Sequence, residues 1–122
     1  MSSRRKGQRI QRLAVAYAYT FPRVFVLTIY QVSRWSTPQP FDLIVFRSGR
    51  WPRFVEVRSN QWRTGKASTK QLAHLPGEGF HRQIWLHRDG HNGFEIRSWD
   101  KTTQRWLPMD NPFETVKGVK DG

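Results

Sequence analysis

Apolar residues recur near the start of the chain with helical spacing. Ile10, Leu13, Ala14 and Tyr17 fall at i, i+3, i+4 and i+7, one stripe of an amphipathic helix that starts at Gly7, with Arg9 and Arg12 off the stripe. Phe21-Pro22 ends it, because the residue before a proline avoids the helical region. Over residues 23–33 the period changes to two: Val24, Val26, Thr28 and Tyr30 face one way, Phe25, Leu27 and Ile29 the other. Both sets are largely apolar, which predicts a strand covered on both faces. Residues 34–40, rich in Ser, Thr and Pro, read as a loop.

A hairpin follows. Phe41 to Phe46 and Phe54 to Arg58 are β-prone runs, and Gly49 between them supplies turn freedom. Residues 59–67 are polar and basic; Ser68 or Thr69 caps a short helix through His74, which Pro76-Gly77 stops. A second hairpin joins Gln83–His87 to Phe94–Trp99 around Asp89-Gly90-His91-Asn92-Gly93. The order helix, strand, strand, strand, helix, strand, strand predicts an α/β or α+β sandwich with a central mixed sheet of five strands flanked by helices. Residues 1–6 are expected to form a flexible basic arm and 7–107 a single domain. Residues 108–122 are expected to form a tail, with local packing through Trp106, Leu107 and Phe113.

Charge changes the picture most. The 122 residues hold 21 Lys and Arg against 9 acids, a formal net charge of +12. Such an excess repels itself unless a polyanion relieves it, and neutralised phosphates release counterions, so nucleic acid is the expected partner. No apolar run is long enough to span a bilayer. The chain has no cysteine, which excludes disulfides, thiolate zinc sites and cysteine nucleophiles. The basic N-terminus is not followed by a secretory apolar core. These features lead to the expectation of an intracellular protein, cytoplasmic, nucleoid-associated or viral.

In so basic a chain the acids are informative. Opposed residues of an antiparallel hairpin have positions that add to a constant, about 98 if Gly49 marks the turn, and Asp42 then faces Glu56. Arg58 shares their parity. Opposed carboxylates in an apolar frame repel, so the pair calls for a cation. Mg2+ takes such oxygens, activates water and stabilises charge on a phosphoryl group, and Arg58 would add to that stabilisation. A structural alternative stands beside this: Asp42 holding a turn or pairing with Arg47 or Arg53, and Glu56 neutralised by Arg58.

Several runs resemble the PD-(D/E)XK nuclease superfamily, and within it the archaeal-type Holliday junction resolvases. They are Lys6-Gly7-Gln8-Arg9-Ile10-Gln11-Arg12-Leu13, like the opening helix; Pro40-Phe41-Asp42-Leu43-Ile44-Val45, like the metal-binding aspartate strand; Phe54-Val55-Glu56-Val57-Arg58, where the family carries Glu-x-Lys; and Ser68-Thr69-Lys70-Gln71-Leu72, like the following helix. The helix-strand-strand-strand-helix-strand order agrees. The resemblance implies a homodimeric endonuclease that hydrolyses phosphodiester bonds of duplex or branched DNA, such as a four-way junction, in recombination and repair. Its cofactor would be Mg2+, with Mn2+ as the substitute. By position, Asp42, Glu56 and the Val57 carbonyl would bind metal, Arg58 would occupy the catalytic lysine position, and Gln71 would orient a ligand or water. Two residues depart from the pattern. Gln11 stands where the family has a glutamate, and Arg58 replaces a lysine and is a poor general base. Lys66 or Lys70 would have to supply an ammonium instead, or the site is weakened.

The nucleic-acid contacts are expected from Arg4, Arg5 and Lys6 of the arm, from Arg9 and Arg12 of the first helix, from Arg50 at the hairpin tip beside Trp51, and from Trp62, Arg63, Lys66 and Lys70. Trp62 has two readings, a stacking platform for a base or a ring folded back on the core. His74, His81, His87 and His91 form no zinc pattern, and Trp85, Trp99 and Trp106 read as core or dimer interface. Two other functions remain in play: a DNA-binding protein of the same fold that has lost catalysis, which Gln11 and Arg58 favour, and a basic RNA-binding protein, which leaves the acidic pair unexplained.

Overall fold

A computed structural model describes residues 3–28, 39–62, 67–115 and 121, with side chains from residue 7 onward. Its elements are α1 (Ser3–Ala18), β1 (Val24–Thr28), β2 (Leu43–Arg47), β3 (Arg53–Ser59), α2 (Ala67–Ala73), β4 (His81–His87), β5 (Glu95–Asp100) and β6 (Arg105–Met109). The strands form one mixed sheet in the order β1-β2-β3-β4-β5-β6. All neighbours are antiparallel except β3 and β4, which run parallel. A parallel pair needs a crossover, and α2 lies within it.

The sheet has six strands where five were expected. The extra one, β6, pairs with β5 from Ile96↔Met109 to Asp100↔Arg105 and carries the chain past the expected boundary after residue 107. Its short apolar content, broken by Pro108, hides it from a periodicity count. Pro108 costs little there, because β6 is the last strand of the sheet and one of its edges needs no donor. At the other end, α1 begins at Ser3, inside the segment expected to be an arm.

The buried stripe of α1 is also rotated from the expected one. Ile10, Ala14 and Ala18 are 3%, 0% and 0% exposed, while Leu13 is 39% exposed. These three positions at i, i+4 and i+8 form the face that packs on the sheet. Small alanines let the helix lie close to Val26, Leu43, Val45, Val55, Trp85 and Ile96, which with Phe113 make the main core. On the opposite face, α2 buries Thr69, Leu72 and Ala73. β4 is buried at every position, as a strand sandwiched between layers should be. β1 fits the same rule less well: Phe25 is 57% exposed, so the outer face of that edge is open at this residue. The remainder of the expected first strand, 29–33, and the loop 34–38 lie outside the described residues.

The β2–β3 hairpin has the expected register. Leu43 opposes Val55, Ile44 opposes Phe54 and Val45 opposes Arg53, positions that add to 98 in each pair. Gly49 sits in the left-handed region at φ 76°, and the Arg50 amide donates to the Arg47 carbonyl at 3.0 Å to close the turn. A β-branched residue at Gly49 would strain that turn.

Asp121 is held by an ion cluster. Arg53 is 0% exposed. Its guanidinium donates to both oxygens of Asp121 at 2.6 Å and to the carbonyls of Trp51 at 2.6 Å and Pro112 at 3.0 Å. Asp121 also accepts from the Trp51 amide at 3.0 Å, lies 3.1 Å from His81 Nε2, and pairs with Arg50. Burial opposes the charge on Asp121, but the bonds from Arg53 and the Trp51 amide outweigh it and hold the carboxyl well below the usual range. Burial and the nearby Arg53 cation lower the His81 pKa from its ordinary 6.5.

Both shifts make acid destabilising. A histidine held neutral contributes stability that is lost as pH falls through and below its ordinary value of 6.5, and Asp121 contributes stability lost below its ordinary 3.8. Asp121→Asn should cost about 3 kcal/mol at neutral pH, because it strands a buried guanidinium. Urea unfolding of both proteins from pH 8 to pH 3 checks this, and the difference between them should shrink below the ordinary range of Asp121.

Candidate active-site cleft

The cleft forms where β3 runs past the start of β2, under the N-terminal half of α1. Paired residues stop at Leu43↔Val55, so Asp42 lies just beyond the ladder and Glu56 just past its end on the neighbouring strand. Gly7, Ile10 and Gln11 of α1, Gln39 to Asp42, Glu56 to Ser59, and Ser68 of α2 enclose about 280 Å³. Asp42 and Glu56 are both among the residues that line this one space.

Each acid is held by a specific donor. The Val57 amide donates to Asp42 Oδ2 at 2.8 Å, and the Gln11 side-chain amide donates to Asp42 Oδ1 at 3.2 Å. Glu56 is 6% exposed. It accepts from the Thr69 hydroxyl at 2.8 Å, and Arg58 Nε lies 3.2 Å from the same Oε1. The amide and carbonyl of one strand residue point to the same neighbour, so the bond from the Val57 amide to Asp42 turns the Val57 carbonyl toward that side of β3 as well. Ser68 Oγ, also at the cleft, is buried with no hydrogen-bond partner. The oxygens available at the cleft are those of Asp42, Glu56, the backbone of β3 and the Ser68 hydroxyl. Hard divalent cations prefer such a set to soft ones. Among the described residues no group of three or more His, Cys, Asp or Glu gathers, so any cation here would rest on two carboxylates.

Of the structural alternatives, the pairing of Glu56 with Arg58 occurs. Arg53 and Arg47 are engaged elsewhere, with Asp121 and with the Phe113 ring, whose centroid is 4.6 Å from the Arg47 guanidinium carbon.

Gln71 was expected to orient a ligand or water from the second helix. Gln71 and Lys70 are exposed on α2 and do not line the cleft. The residues of α2 that do reach the site are Ser68 and Thr69, which sequence reasoning took only as a helix cap. The signal was a hydroxyl residue at i of a buried i, i+3, i+4 set with Leu72 and Ala73. A threonine inside an apolar stripe needs a polar partner, and Glu56 is that partner.

The expected nucleic-acid contacts separate into groups. Arg9 and Arg12 are exposed on α1, and Arg12 with Gln8, Gln11, Val15 and Thr28 lines a hollow of about 520 Å³ that shares Gln11 with the acidic cleft. Arg50 is bound to Asp121, a carboxylate it shares with the buried Arg53. Trp62 is half-buried with the Arg97 guanidinium 4.0 Å from its ring centroid, which closes one face to a stacking base. Asn60, at φ 62°, turns the chain out of β3 before it and is fixed by reciprocal bonds with Asp89 at 3.1 and 2.9 Å. The side chains of Arg4, Arg5 and Lys6, and all of Arg63 and Lys66, lie outside the described residues. Trp85 is wholly buried in the core, and Trp99 stacks on Trp106 with centroids 5.2 Å apart. No helix among the described residues is long and apolar enough to cross a membrane.

Comparison with protein families, with curated proteins and with solved structures finds no significant match.

Thr69→Val should cost about 1–2 kcal/mol, because it removes the buried donor to Glu56, and Thr69→Ser should recover most of it. Gln71→Ala should change stability by less than about 0.5 kcal/mol, as an exposed residue without such a role. Chemical denaturation of the three variants ranks them directly.

Proposed function

We propose that the protein is a metal-dependent endonuclease of DNA, built on a core like that of the PD-(D/E)XK nucleases. One observation carries the reading: two carboxylates from neighbouring strands line one cleft in a chain of net charge +12. The order of helix, three antiparallel strands, helix and parallel strand supports it, because it is the order the resemblance implies. β5 and β6 would then be an extension of that core. Asp42, Glu56 and the Val57 carbonyl would hold Mg2+ or Mn2+. When bound, the cation would polarise the phosphoryl group and supply an activated water.

The chain's own residues have separate tasks in this scheme. Asp42 and Glu56 bind the cation. Thr69 and the Val57 amide fix the direction of the two carboxylates. Arg58 stabilises charge on the phosphoryl oxygens; it does not abstract a proton. Arg9 and Arg12 hold the phosphate backbone beside the cleft. A four-way junction presents two related strands, which suits action as a symmetric dimer.

A second reading is favoured by two particular bonds. The Gln11 amide donates to Asp42 and the Arg58 guanidinium pairs with Glu56, so each acid already has a protein partner without any metal ion. On that reading the protein binds DNA and does not cut it.

Labelled four-way junctions, linear duplex and RNA, each offered with Mg2+, Mn2+ or EDTA, separate the two. The nuclease reading expects metal-dependent nicking of DNA that drops at least about 100-fold in Asp42→Asn and Glu56→Gln while binding persists. Binding without nicking in either metal supports the second reading, and a preference for RNA contradicts both. Gln11→Glu sharpens the test. It adds a third carboxylate beside Asp42, so the variant should be less stable than wild type in EDTA and regain stability in Mg2+, read as a metal-dependent Tm.

A further inference from the structure

At the opposite end of the parallel strands lies a second site, with the reverse charge. Arg82 is the parallel partner of Phe54, and Arg58 lies four residues along β3, about 13 Å away at the usual strand rise. Arg82 is only 4% exposed. Its guanidinium donates to the Leu75 carbonyl and, at 3.3 Å, to the Gly77 carbonyl, and it lies 4.3 Å from the Phe80 ring centroid. Its Nε has no partner. Burial pulls the pKa of Arg82 down from its ordinary value.

A second cation converges on the same oxygen. Lys101 Nζ donates to the Gly77 carbonyl at 3.2 Å, so the two positive groups sit within two hydrogen-bond lengths of each other. Both line a cavity of about 240 Å³ walled by Trp51, Phe80 and Trp99. The acids at its rim, Glu78 and Asp100, form no ion pair with either cation among the described residues. Asp100 spends its carboxylate on the Thr102 amide at 3.0 Å and the Thr103 hydroxyl at 2.7 Å, and Glu78 is exposed with no ion pair among the described residues. His81, also at the rim, is turned to Asp121.

A buried guanidinium is costly unless something negative joins it, and the exposed ammonium of Lys101 beside it adds to that cost. The carbonyls after α2 supply part of that, as at any helix C-terminus, but a carbonyl dipole is weaker than a charge. We propose that this cavity is a phosphate-binding site, in which Arg82 and Lys101 hold the oxygens of a phosphate group and the two indoles flank whatever the phosphate carries. Arg offers a rigid fork and Lys a mobile point charge, a pair suited to a tetrahedral oxyanion. Indole walls favour a phosphate borne on a sugar and base. The site is separate from the acidic cleft, and its assignment stands whether or not that cleft cuts DNA.

The test is an NMR titration that follows the indole N–H signals of Trp51 and Trp99, with inorganic phosphate added at constant ionic strength. Saturable shifts of these two signals are expected. Lys101→Ala, an exposed residue whose loss leaves the fold intact, should weaken binding about tenfold, and Arg82→Lys should do the same. Asp42→Asn should leave it unchanged. A 5′-phosphorylated tetranucleotide that binds more tightly than both inorganic phosphate and its 5′-hydroxyl counterpart identifies a strand end as the source; equal affinity for both phosphates identifies the free ion. A linear, unsaturable response, or an affinity in Lys101→Ala equal to wild type, overturns the proposal.

Discussion

The site depends on a hydrogen bond from the Val57 amide to the Asp42 carboxylate across the end of the β2–β3 ladder. Without a donor there, two acids on adjacent strands would drive each other apart, since opposed like charges weaken a sheet. The bond fixes Asp42 at the edge of β3, where the next residue inward is Glu56. Thr69 does the same for Glu56 from the far side, through α2. The acids are therefore held by the fold itself. α2 in turn is part of the crossover between the parallel strands β3 and β4, so the parallel pairing and the geometry of the cleft are one arrangement.

Charge is distributed along the same two strands. At the end of β3 the acids collect, with Arg58 as their protein counter-charge. At the beginning of β3, Arg53 is buried and neutralised by Asp121. At the beginning of β4, Arg82 is buried and has no carboxylate among its partners, only carbonyls and a ring. Among the described residues, a chain of net charge +12 thus buries two arginines, Arg53 with a carboxylate partner and Arg82 with carbonyls and a ring.

Much of this was legible in the sequence for physical reasons. The 98 register follows from one glycine with a positive φ, because a short turn leaves no freedom in the pairing of its arms. That register predicts Asp42 opposite Glu56; the ladder stops one pair short of it, with the Asp42 amide donating to the Val55 carbonyl at 2.7 Å, and both residues line the same cleft. What escaped was non-local. β6 is a strand only because β5 offers it an edge, and its own residues, with Pro108 among them, carry weak β signals. The role of Thr69 depends on which face of α2 is buried, and the short helix gave a cap reading that was equally natural. Leu13 was assigned to the core by periodicity, but the close approach of α1 to the sheet selects the alanines. Arg50 pairs with Asp121, a residue far away in sequence that no local pattern connects to it.

The account stands on the claim that Asp42 and Glu56 together hold a divalent cation. The direct measurement is Mn2+ binding followed by electron paramagnetic resonance, on wild type and on the double variant Asp42→Asn, Glu56→Gln. The account predicts one saturable Mn2+ per chain in wild type, displaced by excess Mg2+, and none in the double variant. Equal Mn2+ binding by the two proteins, or none by either, would contradict it.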